Sequence, residues 1–135
     1  MFSQLGPAAR AIVTLAEQEC RNASHYYLGT EHLLLAMAIA PPQDVARYFH
    51  SVHLEPWQVK RALRDALAVT FEHTWNGIIV TERVKRIIDI AASNKGRSTL
   101  IAPIDLLQAM ITEGRGIAAR VLADLAVGAA STGRT

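Results

Sequence analysis

The sequence has few of the features that mark secreted or membrane proteins. It contains a single cysteine, Cys20, so no intramolecular disulfide can form. No apolar run approaches the roughly 18 to 20 residues that a membrane span requires. The first residues also lack the basic segment and apolar stretch of a secretory signal. We therefore expect a cytoplasmic protein that does not act at a membrane.

Charge of either sign is modest and spread along the chain. Fourteen Lys and Arg residues against twelve Asp and Glu residues give a formal net charge of +2, and no block of five like charges occurs. An excess this small does not indicate binding to nucleic acid. A small helical DNA-binding protein stays open as an alternative, because pairs of predicted helices resemble helix-turn-helix units.

Motifs for nucleotide, metal or nucleophilic chemistry are missing as well. The segment 94–99 contains a lysine, a glycine and two hydroxyls, but not in the spacing of a phosphate-binding loop. Of the five histidines, His50 and His53 share a possible helix end, but no carboxylate or third ligand completes a metal site there at useful spacing. We therefore predict no catalytic residue, no metal and no cofactor, and a chain that is not an enzyme.

The apolar residues that are present recur at helical spacing, and no alternating strand pattern is found. This predicts an all-α fold of about seven to eight helices. Thr30 and Thr81 are predicted N-caps, and Gly96 is a predicted helix stop. The small and polar segment 127–135 is predicted to be a flexible tail or linker. The predicted helices cover about 8–21, 31–39, 44–50, 56–69, 82–95, 103–113 and 117–126.

An internal repeat is the most informative property of the sequence. Residues 28–37 and 101–110 show the same helix start followed by the same apolar spacing. We predict two repeats, about 5–52 and 80–126, joined by the linking helix 56–69. Neither half is large enough to bury its apolar faces alone. The two are therefore expected to form one domain, 1–126, about a pseudo-twofold axis, with paired grooves where the halves meet.

These segments resemble the Clp N-terminal domain, or Clp repeat domain, of the ClpA, ClpB and ClpC unfoldases, and most of all the ClpC form. The resemblance covers roughly residues 1–126. Its carriers are the segments 1–2, 9–10, 27–35 (Tyr-Leu-Gly-Thr-Glu-His-Leu-Leu-Leu), 81–86 and 113–122 (Glu-Gly-Arg-Gly-Ile-Ala-Ala-Arg-Val-Leu). It implies a module that delivers protein substrates or adaptors to an unfoldase ring, without catalysis of its own.

In ClpC-like members the domain can bind phosphoarginine, and a glutamate in each copy of the Gly-Thr-Glu-His motif contacts the guanidinium. The first copy here keeps that motif, which makes Thr30 and Glu31 the predicted ligand-binding residues. The second copy has Pro103 and Ile104 at these positions. Neither side chain can take the role, so the second site is predicted to be lost. Glu31 also has a plainer interpretation, as an acid that favours the dipole of its own helix.

The resemblance implies a second surface, which binds adaptors. The matching positions are Phe2, Arg10, Val80, Lys85 and Asp89, where Val80 replaces an aromatic and Asp89 a glutamate. Partner preference is therefore expected to differ here. The chain is expected to be monomeric in isolation. It is either part of a larger unfoldase or a freestanding decoy or regulator that sequesters Clp ligands.

Overall fold

The computed structural model describes residues 4–23, 25, 27–66, 79–96 and 99–132, and within them it contains seven helices and two very short strands. The predicted all-α class is confirmed. In chain order the elements are α1 Pro7–Asn22, β1 Tyr27–Leu28, α2 Thr30–Ile39, α3 Gln43–Ser51, α4 Pro56–Ala66, β2 Ile79–Val80, α5 Glu82–Lys95, α6 Pro103–Glu113 and α7 Ile117–Thr132.

Helix α2 lies at the centre of the core. Nine of its ten residues are buried, which fits a helix that is apolar on all sides. It packs against α1, α4 and α7. Helix α6 is its counterpart in the second half, and α6 packs against α5 and α3. Each half therefore contributes one buried helix, and the other helices surround this pair.

The two halves pair their extended segments crosswise. Leu5, just before α1, bridges Ile101, just before α6. In the same way Val80, before α5, pairs in parallel with Leu28, before α2. Matching hydrogen bonds accompany the two pairings: Gly6 N to Ile101 O at 2.9 Å, and Thr81 N to Leu28 O at 3.2 Å. These bonds correspond to each other across the two halves, as expected for the pseudo-twofold relation that the repeat predicts.

Capping residues determine where several helices begin and end. Thr81 is an N-cap as predicted, because its hydroxyl accepts from Val84 N at 3.2 Å. Gly96 ends α5 with a φ of 84°, a conformation that glycine adopts without strain. At two other termini, the start of α2 and the end of α7, the structure differs from the sequence-based expectation.

The first difference concerns Thr30, which is not an N-cap but the first residue of α2. Gly29 takes the cap position, with extended backbone and a carbonyl that accepts from His32 N at 3.2 Å. The N–H of Gly29 is satisfied by a side chain three residues later, so no hydroxyl is needed at the cap.

The second difference concerns the end of α7. This helix continues to Thr132, six residues beyond the predicted domain end at 126, and the role of 127–135 as a tail or linker stays a prediction. Alanine is the best helix former, and Ala129 and Ala130 allow the helix to continue past Gly128. Residues 133–135, and the last predicted turn of the linking helix at 67–69, lie outside the described residues.

The N-cap of α5 gives a direct stability test. Replacing Thr81 with alanine is expected to lower the free energy of unfolding by about 1 kcal/mol, because Val84 N loses its acceptor. Urea unfolding followed by circular dichroism measures this. Thr14→Ala on the exposed side of α1 is the matched control, and it is expected to have no effect or to stabilise slightly. Equal losses in the two variants would contradict the cap.

Candidate functional site

Three helix N-termini converge on one surface pocket. Thr30 and Glu31 begin α2, Thr81 precedes α5, and Gly116 precedes α7, and all four line a cavity of about 340 Å³. Helix N-termini carry partial positive charge and free N–H groups. Such a convergence suits an anionic group in a ligand.

Two arginines add full positive charge to the same pocket, namely Arg83 from the first turn of α5 and Arg115 just before α7. Arg83 donates from Nη1 to both carboxylate oxygens of Glu113, at 3.0 Å to Oε2. The Glu113 side chain is almost fully buried, at 6 % exposure, whereas that of Arg83 is 37 % exposed. Glu113 therefore fixes an arginine whose position beside a helix N-terminus is otherwise unfavourable.

Glu31 supplies the opposite charge inside the pocket. Its exposed fraction is 6 %, and its carboxylate lies over the backbone of Gly29. Any residue other than glycine at position 29 would place its β-carbon where this carboxylate lies. Burial raises the pKa of this carboxyl above its usual value. A hydrogen bond from its own backbone N–H opposes that rise, and so does the electrostatic effect of His25 and Arg83. A buried carboxylate held in this way can be stabilised by a cationic fork of donors from a ligand.

Behind the pocket lies a buried pair of histidines. His32 Nδ1 accepts from the backbone N–H of Gly29 at 3.0 Å, so the ring proton is on Nε2, which lies 2.8 Å from His25 Nδ1. Burial, followed by the effect of His25, lowers the pKa of His32 to about 4. Since Nδ1 must stay unprotonated to hold Gly29, neutral His32 maintains the turn on which Glu31 lies.

Gly116 leaves the pocket open. A β-carbon at this position would lie 2.7 Å from Thr30 Oγ1 and 3.0 Å from Arg83 Cδ. Any side chain would therefore displace both neighbours or project into the cavity.

The corresponding place in the second half contains an acid. By the register of the repeat, Asp44 in α3 corresponds to Gly116, and Ile104 corresponds to Glu31. Asp44 Oδ2 accepts from Ile104 N at 3.1 Å. A carboxylate of the chain itself therefore neutralises this helix N-terminus, where the first half has an open pocket.

Thr30 and Glu31 both line this pocket, and their role in binding a ligand stays a prediction. Two residues of the predicted adaptor surface make polar contacts with residues close by in the chain. Arg10 donates to Leu5 O at 3.1 Å, and Lys85 pairs with Glu82 at 3.1 Å. Val80 is half-buried in β2, and Asp89 is exposed on α5. Phe2 lies outside the described residues. The adaptor surface therefore stays a prediction.

Besides Tyr27, Gly29 and Ile117, sequence reasoning missed four residues that line the pocket and shape its chemistry: Thr81, Arg83, Arg115 and Gly116. All four lie in segments that carried the family resemblance, yet no ligand role was assigned to them. The available signal was the repeat, since pseudo-symmetry places grooves where the halves meet. His25 was also missed as the partner of His32, because its contact depends on a loop whose path the sequence does not specify.

Two further kinds of site are absent from the described residues. No group of three or more histidine, cysteine, aspartate or glutamate side chains there could hold a metal ion. Over the same residues, no helix is both long enough and apolar enough to cross a membrane.

Comparison with known proteins gives relatives of one kind. The chain is 27 % identical over 129 residues to the chaperone protein ClpB of Oceanobacillus iheyensis, a match that covers 94 % of this chain and 16 % of that protein. It is 26 % identical, with the same coverage, to the negative regulator of genetic competence ClpC/MecB of Bacillus subtilis. The chain thus spans about one sixth of the length of these relatives. No protein-family model matches it.

Solved structures share the fold. The N-domain of ClpV from Vibrio cholerae aligns with a TM-score of 0.70 at 19 % identity, over 84 % of this chain and 69 % of that one. The N-terminal domain of ClpD from Arabidopsis thaliana aligns over the full length of both chains, with a TM-score of 0.67 at 18 % identity. A complex of the ClpV N-domain with a VipB peptide aligns with a TM-score of 0.71 at 18 % identity, over 86 % of this chain and 73 % of that one.

The sequence similarity extends over nearly the whole chain. The three solved structures named above are all N-terminal domains of Clp proteins. Together they confirm the resemblance seen in the sequence: the chain is similar to ClpB and ClpC proteins over nearly its whole length, and it has the fold of a Clp N-terminal domain.

Proposed function

We propose that the chain is a non-catalytic protein-binding module of the Clp unfoldase and protease system, which recognises substrates or adaptors. The similarity to Clp N-domains supports this role, and the solved complex with a VipB peptide is an instance of a related domain holding a protein segment. On this proposal the chain works in the cytoplasm. It acts either as the substrate-receiving domain of an unfoldase or as a freestanding decoy for the same ligands.

We further propose that the pocket around Thr30 and Glu31 binds phosphoarginine side chains. One observation carries this proposal: the pocket combines an anion-binding end with a buried carboxylate. Phosphoarginine has the complementary arrangement, because a phosphoryl group lies directly on a guanidinium. Its phosphate fits the helix N-termini with Arg83 and Arg115, and its remaining N–H groups fit Glu31.

The second half supports the anionic part of the proposal. There the chain uses Asp44 to neutralise the helix N-terminus that corresponds to α2. In the first half no acid stands at that position, because Gly116 has no side chain. An anion from a ligand can take the place that a carboxylate takes in the second half. Because that second place is filled, we propose one phosphoarginine site per chain.

Calorimetry with a phosphoarginine peptide and its unphosphorylated twin tests the proposal. The unmodified domain is expected to bind the phosphorylated peptide, and Glu31→Gln to weaken binding at least ~10-fold, since the amide cannot form a charged pair with the guanidinium. Glu82→Gln, in the exposed first turn of α5, is the matched control and is expected to change little. No heat from the unmodified domain at millimolar peptide, or equal heats for the two peptides, would reject the proposal.

A further inference from the structure

Helix α4 exposes an aromatic side chain on the side that faces away from the core. Val59 and Leu63 are fully buried, whereas Trp57 is 60 % exposed. A single exposed apolar residue is ordinary on a protein surface. Tryptophan, however, is one of the residue types that dominate binding energy at protein interfaces. The residues around Trp57 therefore decide whether it forms part of a binding surface.

Concavities lie on both sides of this tryptophan. One of about 350 Å³ is lined by Trp57 together with Lys60, Arg61, Arg64 and Asp65. Another of about 240 Å³ shares Trp57, Arg61 and Asp65 and reaches Leu125 of α7. A third, of about 160 Å³, extends from Arg64 to the C-terminal end of α1 and to Leu35 in the middle of α2. The first two concavities share three lining residues, and Arg64 lines both the first and the third. We call the three together the α4 groove.

The charge of the α4 groove is mainly positive. Lys60, Arg61 and Arg64 line its largest part, against one acid there, Asp65. The ion pairs found among the described residues include none of these three cations. They are therefore available to a partner, and arginine is enriched with tryptophan at interface centres.

We propose that the α4 groove is a docking surface for an acidic segment of another protein that carries at least one large apolar side chain. The apolar side chain packs against Trp57 and Leu125, and flanking carboxylates pair with Arg61 and Arg64. The groove is separate from the pocket at Glu31, and the proposal does not depend on phosphoarginine binding. Because α4 links the two halves and has no counterpart in the repeat, each chain offers one such surface.

A nucleic acid fits the same surface less well. Asp65 lines the groove together with the cations, and Glu19 lines its far end, so a phosphate backbone would meet two acids. The net charge of +2 for the whole chain is also small for a surface that binds nucleic acid. A protein segment with alternating apolar and acidic side chains can instead avoid Asp65.

A dye-labelled peptide, Asp-Glu-Asp-Leu-Phe-Glu-Asp-Glu, is a direct probe in fluorescence anisotropy. The unmodified domain is expected to bind it with one-to-one stoichiometry and a Kd of roughly 10 to 100 µM. Trp57→Ala and Arg61→Glu are each expected to weaken binding at least ~10-fold. Both residues are exposed, so the variants should melt near the temperature of the unmodified domain, which circular dichroism checks.

Matched controls separate the groove from general charge effects. Arg47→Glu, on the exposed side of α3, changes the net charge as Arg61→Glu does, and it is expected to alter binding less than ~2-fold. A peptide with Leu and Phe replaced by Ser should bind at least ~10-fold more weakly. Equal weakening by Arg47→Glu, no loss in Trp57→Ala, or preferential binding of single-stranded DNA or anionic vesicles would each overturn the proposal.

Discussion

Acidification from pH 7 to pH 4 is expected to remove about 3 kcal/mol of folding free energy through His32 alone. The folded state binds a proton at His32 only near pH 4, because the ring is fully buried and its Nδ1 accepts from Gly29. The unfolded chain binds that proton near pH 6.5. Between these values the unfolded state takes up more protons, so the stabilisation present above pH 6.5 is lost progressively as the pH falls towards 4.

Glu31 acts in the opposite direction over part of this range. Its pKa is raised in the folded state, so the folded state holds a proton more tightly there, and its contribution grows as the pH falls. The two effects are separated by His32→Asn, because the Asn oxygen can still accept from Gly29 N while the side chain no longer titrates.

Urea unfolding between pH 7 and pH 4 provides the measurement. His32→Asn is expected to show a much shallower loss of unfolding free energy than the unmodified chain. His50→Asn removes an exposed histidine of α3 and is expected to keep the full pH dependence. Parallel curves for the unmodified chain and His32→Asn would refute the assignment to His32.

Gly116→Asp is expected to reduce phosphoarginine binding roughly 100-fold, equivalent to about 2.7 kcal/mol. The new carboxylate would stand where Asp44 stands in the second half, beside the N-terminus of α2. It would fill the cavity and repel the phosphate of the ligand. Its β-carbon requires Thr30 and Arg83 to move slightly, because both are within 3.0 Å of that position.

Gly116→Ala distinguishes charge from bulk, since it adds the β-carbon without the carboxylate. We expect an intermediate loss of affinity, smaller than for Gly116→Asp.

The reciprocal change, Asp44→Gly, frees Ile104 N and should cost about 1 kcal/mol of stability without creating a phosphoarginine site, because no glutamate follows Pro103. Unchanged affinity in Gly116→Asp, measured by calorimetry, would exclude the pocket as the ligand site.

Helix content and the repeat could be predicted from sequence because both depend on local periodicity. The helices around Ile12, Leu63 and Ile87 follow the apolar spacing of the chain. The start of α2 could not be predicted so well. Thr30 is a good cap residue by type, but His32 satisfies Gly29 and so places the cap one residue earlier.

The candidate site was predictable only in part, for a related physical reason. Glu31 lies in a contiguous motif, so a resemblance can identify it. Arg83 and Arg115 reach the pocket from distant parts of the chain, and their proximity to Glu31 depends on how the halves pack. The role of Asp44 likewise depends on a contact across sixty positions, which no local pattern encodes.

The crosswise pairing of Leu5 with Ile101 and of Leu28 with Val80 has a consequence for the integrity of the domain. Each half provides a backbone partner for an extended segment of the other, so the halves are held together by this pairing as well as by the chain that connects them. We therefore expect that neither half folds completely when the other is absent, and that the two halves can complement each other when they are supplied as separate chains.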